Sequence, residues 1–148
     1  MSHFRGLATA GMLLALTGCG PSGPDISSVT GTVTMDGKPL PNASVVFQPE
    51  KGRPSGALTN ENGEFELNFS GGRKGAQPGR YIVAIRTASD GSIDDDGQRT
   101  PGTPETVPAK YNAASELIYT VEEGVPNVAE FKLKSDGELP TEADGDDN

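Results

Sequence analysis

The 148-residue chain has no tryptophan, one cysteine and one histidine. His3 and Cys19 both lie in the first nineteen positions, a stretch that reads as a leader cleaved before Cys19. The chain beyond the leader therefore lacks an imidazole, and nucleophilic catalysis by a Ser-His-Asp or Cys-His arrangement has no base. Zinc sites normally draw on His or Cys, so zinc is not expected. A single cysteine also rules out disulfides within the fold, so apolar burial has to hold it together. Aromatic residues make up only 5% of the chain, which leaves little to stack on sugar rings. Basic residues are scarce too, 12 against 21 acidic ones, for a net charge of −9 and a pI near 4.5. That balance argues against nucleic acid as a partner. After Cys19 no apolar i, i+3, i+4 pattern persists, so a helical bundle is disfavoured.

The N-terminus carries an address. Arg5 gives a weakly positive start, and Leu7 to Leu16 form a short apolar run. Such a run is too short for a bilayer span, which takes about 20 residues. Leu16-Thr17-Gly18-Cys19 then fits a lipobox. Cleavage is expected between Gly18 and Cys19, with acyl chains, palmitate among them, carried on the new N-terminal cysteine. Two or more such chains hold a protein stably in a membrane. Removing residues 1–18 takes Arg5 away and leaves a charge near −10. Residues 19–27 are a tether without apolar pattern, long enough to hold a domain roughly 25–30 Å from the bilayer when extended. Gly20 is not an acidic retention residue, so the outer membrane or cell surface is the expected location.

From Ser28 onward the pattern is that of β-strands. Twenty glycines, twelve prolines and a mean hydropathy of −0.45 indicate many turns. Alternation of apolar or small residues appears at Val29, Gly31 and Val33, then at Ala43, Val45 and Phe47. Asp36-Gly37 lies between them as a tight turn, so Ser28 to Phe47 reads as strand, turn and second strand. A short strand is expected near Gly56 to Thr59, followed by a turn at Asn60-Glu61-Asn62-Gly63. Alternation resumes at Phe65, Leu67 and Phe69, at Tyr81, Val83 and Ile85, at Leu117, Tyr119 and Val121, and at Ala129, Phe131 and Leu133. Seven strands at this spacing predict an all-β sandwich over residues 28–134. Residues 135–148 read as a disordered acidic tail. Ala88 to Ser115 is a long connection, and connections of that length are either functional or disordered.

The order Gly31-x-Val33, Gly37-x-Pro39-Leu40, Ala43-x-Val45-x-Phe47 resembles the carboxypeptidase regulatory-like domain. Thr59-Asn60-Glu61-Asn62-Gly63-Glu64-Phe65 and Pro78-Gly79-Arg80-Tyr81-Ile82-Val83 are similar to two of its later motifs. Val107-Pro108-Ala109-Lys110-Tyr111-Asn112 resembles a segment common in small bacterial lipoproteins that carry this domain. The resemblance implies a seven-stranded transthyretin-like, prealbumin-like Greek-key β-sandwich, a module more than an activity. Hydrolases of urate metabolism that share the fold depend on histidines, so their activity does not carry over.

The remaining candidates are few. Asp94-Asp95-Asp96 could offer oxygens to calcium, as could Asn60, Asn62 and Glu64, but the three aspartates are contiguous where a calcium loop alternates them. A solvated acidic loop, with weak calcium binding at most, is expected, and no cofactor besides the lipid. Arg73, Lys74 and Arg80 form a modest basic cluster that reads as a solvated loop. Paired carboxylates leave a glycosidase chemically open, yet a small sandwich offers little cleft, and no enzyme is expected. Tyr111 beside Lys110 is the one tyrosine placed for an exposed contact, and the stronger reading has it anchoring the long connection to the sandwich. Asp94, Asp95, Asp96, Lys110 and Tyr111 are thus the candidate contact residues for a ligand or partner. The expected role is that of a membrane-anchored envelope lipoprotein with a structural or interaction module and an envelope protein as partner. A module for carbohydrate or another small ligand is the alternative.

Overall fold

The structure, a computed structural model, describes residues 23–141. The leader, Gly18, Cys19 and the start of the tether lie outside the described residues, as does the tail from residue 142. No helix among the described residues is long and apolar enough to cross a membrane.

Among the described residues ten strands succeed one another: β1 (Val29–Met35), β2 (Lys38–Pro39), β3 (Ser44–Pro49), β4 (Ser55–Leu58), β5 (Glu64–Glu66), β6 (Gly79–Arg86), β7 (Ser92–Ile93), β8 (Arg99–Thr100), β9 (Ile118–Val121) and β10 (Asn127–Leu133). A 3-10 turn, Ala109–Tyr111, precedes β9. Seven of the strands correspond to the seven expected, and the fold is an all-β sandwich. The other three are two-residue strands. In the first sheet β1 is central, with β10 on one side and both β2 and β5 on the other. The second sheet has the order β4-β3-β6-β9.

Alternation decides what goes inside. β10 alternates buried and exposed residues without a break, and Val29, Val33, Val45, Phe47, Phe65, Leu67, Tyr81, Val83, Ile85, Val121, Phe131 and Leu133 are all buried as the pattern predicts. Leu117 is only half-buried, packed against the core rather than within it. Phe69 is likewise only half-buried. Ala43, Ala76, Val107 and Ala129 complete the core. Phe47 is at its centre, with ring centroids at 6.4 Å from Phe65, 5.8 Å from Tyr81, 5.5 Å from Tyr119 and 6.1 Å from Phe131. Offset and edge-on aromatic packing of this kind adds to the area that each ring buries.

The opening hairpin is shorter than the sequence indicates. Asp36 and Gly37 have φ of +50° and +80°, as a two-residue type I′ turn requires. The returning strand pairs with β1 through Lys38 and Pro39, followed by one bond from the Leu40 N–H to the Val33 carbonyl. Pro41 and Asn42, the latter at φ +53°, then turn the chain into the other sheet, where β3 pairs with β4 and β6. The second strand of the expected hairpin thus faces the first across the core. Thr59 clasps this corner, its hydroxyl accepting the Ala43 N–H at 2.8 Å and donating to the Leu40 carbonyl at 2.7 Å. β1 instead pairs along its full length, in parallel, with β10, from Val29–Asn127 to Met35–Leu133.

The outer faces of the two sheets differ in chemistry. The first sheet shows Thr30, Thr32, Glu64, Glu66, Val128, Glu130 and Lys132 outward, a mixed polar surface. The second shows Ser44, Val46, Gln48, Leu58, Arg80, Ile82, Ala84, Arg86, Ile118 and Thr120 outward, without a carboxylate.

Candidate functional site

Strand direction gives the sandwich two chemically distinct ends. At the near end the first described residues enter: Ser27 exchanges backbone hydrogen bonds with Ala76, its hydroxyl accepts from the Gly124 N–H, and Arg73 donates to the Pro24 carbonyl at 2.7 Å. Loops 50–54, 67–78 and 122–126 share this end. Its loop residues include four cations, Lys51, Arg53, Arg73 and Lys74, and four carboxylates, Asp25, Glu50, Glu122 and Glu123. At the far end, loops 36–37, 59–63, 87–117 and 134–141 have three cations against ten carboxylates. The excess negative charge of the described residues therefore sits at the end away from residues 23–27.

The connection from Ala88 to Ser115 dominates the far end, and it is ordered. β7 and β8 pair antiparallel within it, and below them Ser89 and Thr103 bridge backbone to backbone. The acidic run forms the hairpin tip. Asp94 Oδ1 accepts the N–H of Asp96 at 3.1 Å and of Gln98 at 2.7 Å, while Gly97 takes φ +79°. The turn at Asn60 is built the same way. Asn60 Oδ1 accepts from the N–H of Asn62 and Glu64, both at 2.9 Å, and Gly63 takes φ +73°. In both turns the first residue's side chain caps its own loop, as Asn and Asp do in turns. The shared signal, Asn or Asp three positions before Gly, is legible in the run as sequence but is masked by its charge.

The capping geometry bears on calcium. Asp94 commits one carboxylate oxygen to backbone donors, and among the described residues no group of three or more acidic, histidine or cysteine side chains is placed to hold a metal ion. The expected outcome is that millimolar calcium leaves Tm unchanged by differential scanning calorimetry. A rise of more than about 2 °C, the signature of a ligand that binds only the native state, would assign a site to the hairpin.

Glu105, which no sequence pattern marks, fixes the base of the hairpin. One of its oxygens accepts from the Thr87 N–H and hydroxyl, each at 2.9 Å, from the Thr106 N–H at 3.0 Å and from the Val107 N–H at 2.9 Å. Partial burial raises the carboxyl's pKa, and the donors from Thr87, Val107 and Ala88 outweigh it, leaving the group below its ordinary value. A depressed folded pKa means that the stabilisation is full above the unfolded value, about 4.3, and is lost as pH falls through the folded one. Glu105→Gln should cost about 1 kcal/mol at pH 7. That difference from wild type should shrink below about pH 4, read from urea midpoints at the two pH values.

Lys110 and Tyr111 lie in a second part of the far end. Val107 and Pro108 are buried, and Asn112 donates to the carbonyls of Ile85 and Val107. The half-buried Tyr111 packs against the core, and its hydroxyl accepts the Lys134 N–H. Lys110 lies 5.2 Å from the Tyr111 ring centroid and donates to the Asp136 carbonyl and carboxylate. Residues 135–141, expected as disordered tail, run across this turn: Ser135 donates to Asp36, Ala109 N–H to the Glu138 carbonyl. The Ser135 bonds lower the Asp36 pKa. The side chains of Lys110 and Tyr111 hydrogen-bond to Asp136 and Lys134, whereas the hydrogen bonds of Asp94 stay within the hairpin tip. The structure thus places the five candidate contact residues in two groups.

Two clefts flank the hairpin base. One, of about 350 Å³, has Arg86, Ser89, Glu105, Asn112 and Thr141 among its walls. The other, of about 500 Å³, includes Arg86, Leu58, Thr87, Pro104 and Thr106. Arg86 lines both and gives no signal in the sequence beyond strand parity. The first cleft sets the Arg86 guanidinium among hydroxyls and the carboxylates of Asp90 and Glu105, whereas the second is mainly apolar through Leu58, Ala88 and Pro104.

No family model matches the chain, and no curated protein does. Among solved structures the chain is similar to a 9R-lipoxygenase from Cyanothece PCC8801, at 18% identity and a TM-score of 0.42, covering 84% of this chain and 18% of that one. It is also similar to a DUF3823 family protein from Parabacteroides merdae, at 15% identity and a TM-score of 0.38, covering 76% of this chain and 46% of that one. The chain thus spans less than half the length of either.

Proposed function

We propose that the protein is a membrane-anchored, non-enzymatic interaction module of the cell envelope. In this reading Cys19 bears the lipid, residues 20–27 form the tether, and the sandwich is of the carboxypeptidase regulatory-like kind. The far end, with the β7–β8 hairpin and the Val107–Asn112 turn, meets a protein partner at the outer membrane or cell surface. The observation that carries it is the construction of the 88–115 connection. A long connection pinned by Glu105, Asn112 and the two bridging hydroxyls is a preformed platform, and rigid sheets commonly present function on such loops. It also projects from the end opposite to the tether, where a membrane would not obstruct it.

Chemical cross-linking in intact envelopes, followed by affinity purification and mass spectrometry, tests this reading. One stoichiometric partner, cross-linked to far-end residues and lost with Cys19→Ala, is the expected result. No reproducible partner, together with retention on a polysaccharide column, would replace it with glycan binding. Cleft residue Arg86 would then be the first to substitute.

A further inference from the structure

From the chemistry of the second sheet's outer face we infer a second contact surface: the near-end corner of that sheet rests on an anionic phospholipid bilayer. The inference depends on the anchoring proposed above and adds which surface faces the lipid. Arg80 opens β6 on the outer face, and Lys51 of the β3–β4 loop lines the same surface cleft, of about 270 Å³. Arg53 stands two residues further along that loop, exposed like the other two. Among the described residues none of the three is in an ion pair. Glu50 is the one carboxylate in the cleft.

Apolar side chains continue the surface. Ile82 and Ile118 are cross-strand partners, 51% and 50% exposed, and Ile82 follows Arg80 on the same face at about 7 Å. Cations beside exposed aliphatic side chains complement a bilayer surface, where phosphates take the charge and the headgroup boundary takes the apolar groups. The position fits the anchor as well. Ser27, where the tether joins the sandwich, pairs with Ala76, four residues before Arg80. A molecule leaning on this corner also holds its ten far-end carboxylates away from anionic lipid. An acidic protein partner would satisfy the same charges, and the test separates the two.

The absence of tryptophan makes the test direct. Ile82→Trp and, on the opposite face, Val128→Trp each give a chain with one indole. Each is coupled through Cys19, its only cysteine, to a maleimide headgroup lipid in vesicles, so the result does not depend on native acylation. Vesicles contain brominated phosphatidylcholine with or without about 30% phosphatidylglycerol. The expected result is quenching of Ile82→Trp about twofold or more stronger than of Val128→Trp in anionic vesicles. Adding Lys51→Glu and Arg80→Glu should abolish the difference. Equal quenching of the two variants, or no dependence on phosphatidylglycerol, would overturn the inference and leave the face to an acidic protein. Failure of the native protein to carry lipid, seen by its intact mass, would instead remove the anchoring reading alone. Circular dichroism of each variant confirms that the sandwich is formed before quenching is compared.

Discussion

Phe47→Ala should lower the unfolding free energy by about 4 kcal/mol, the usual cost of removing a buried phenylalanine. Phe47 is fully buried and, among the described residues, is the one ring that packs on four others, Phe65, Tyr81, Tyr119 and Phe131. It sits on β3 of the second sheet, while Phe65 and Phe131 belong to the first, so the truncation opens a void between the layers. The surrounding strands are hydrogen-bonded in fixed register and can close only part of that void. A domain with ordinary stability of roughly 5–15 kcal/mol would lose a large share of it. Urea denaturation followed by far-UV circular dichroism measures the change. Val128→Ala, at a side chain 73% exposed, is the control and should stay within about 0.5 kcal/mol of wild type. A loss below about 2 kcal/mol for Phe47→Ala would mean that the two sheets are not packed around this ring.

Gly31→Val should be at least as damaging, for the opposite reason. Gly31 lies at the middle of β1, where Ala129 pairs with it on one side and Phe65 on the other. A β-carbon there would overlap the Ala129 carbonyl oxygen and come within 2.7 Å of ring carbons of Phe65. A side chain can turn aside, but a carbonyl in a paired strand cannot move without parting β1 from β10. The cost should therefore exceed the roughly 1–3 kcal/mol of ordinary overpacking, seen as loss of soluble yield or a urea midpoint near zero. Gly31→Ala combined with Phe65→Leu separates the two contacts. Little recovery relative to Gly31→Ala is expected, because the backbone overlap remains. Full recovery would place the constraint on the ring.

The strands are legible where side chains alternate, and the reason is physical: parity records which face is buried. It registers Val29 and Val33 as inward and does the same for Phe131 and Leu133. Parity does not record the partner, which is why Ser44–Pro49 reads as the return strand of a hairpin with β1 when it belongs to the facing sheet. Pro41 and Asn42 hold the explanation, a left-handed residue after a proline, but a turn inside a hairpin would show the same residues. The β7–β8 hairpin is invisible in the sequence because two-residue strands have no period. Its Asp94 looks like charge, although its work is to cap a turn. Glu105 and Asn112 cannot be found at all from local pattern, since their partners Thr87 and Ile85 are brought to them by the fold. Ala43 and Ala129 alternate with the inward residues, yet neither stands out as core in the sequence, where bulk carries more weight than position.

Because Val29–Met35 pairs along its whole length with Asn127–Leu133, the first strand waits for the last. A chain delivered N-terminus first has no partner for that edge of β1 until nearly all of the domain has emerged, whereas β5 and β2 cover the other edge at Thr30 to Thr32 and at Thr34 and Met35. Contacts so distant along the chain make folding slow relative to locally paired domains. Delay of this kind makes completion abrupt, since one strand closes the first sheet and caps the core together. Truncation within Asn127–Leu133 would accordingly not yield a smaller sandwich but an open one, with Val29, Val33 and Phe47 left exposed to proteases.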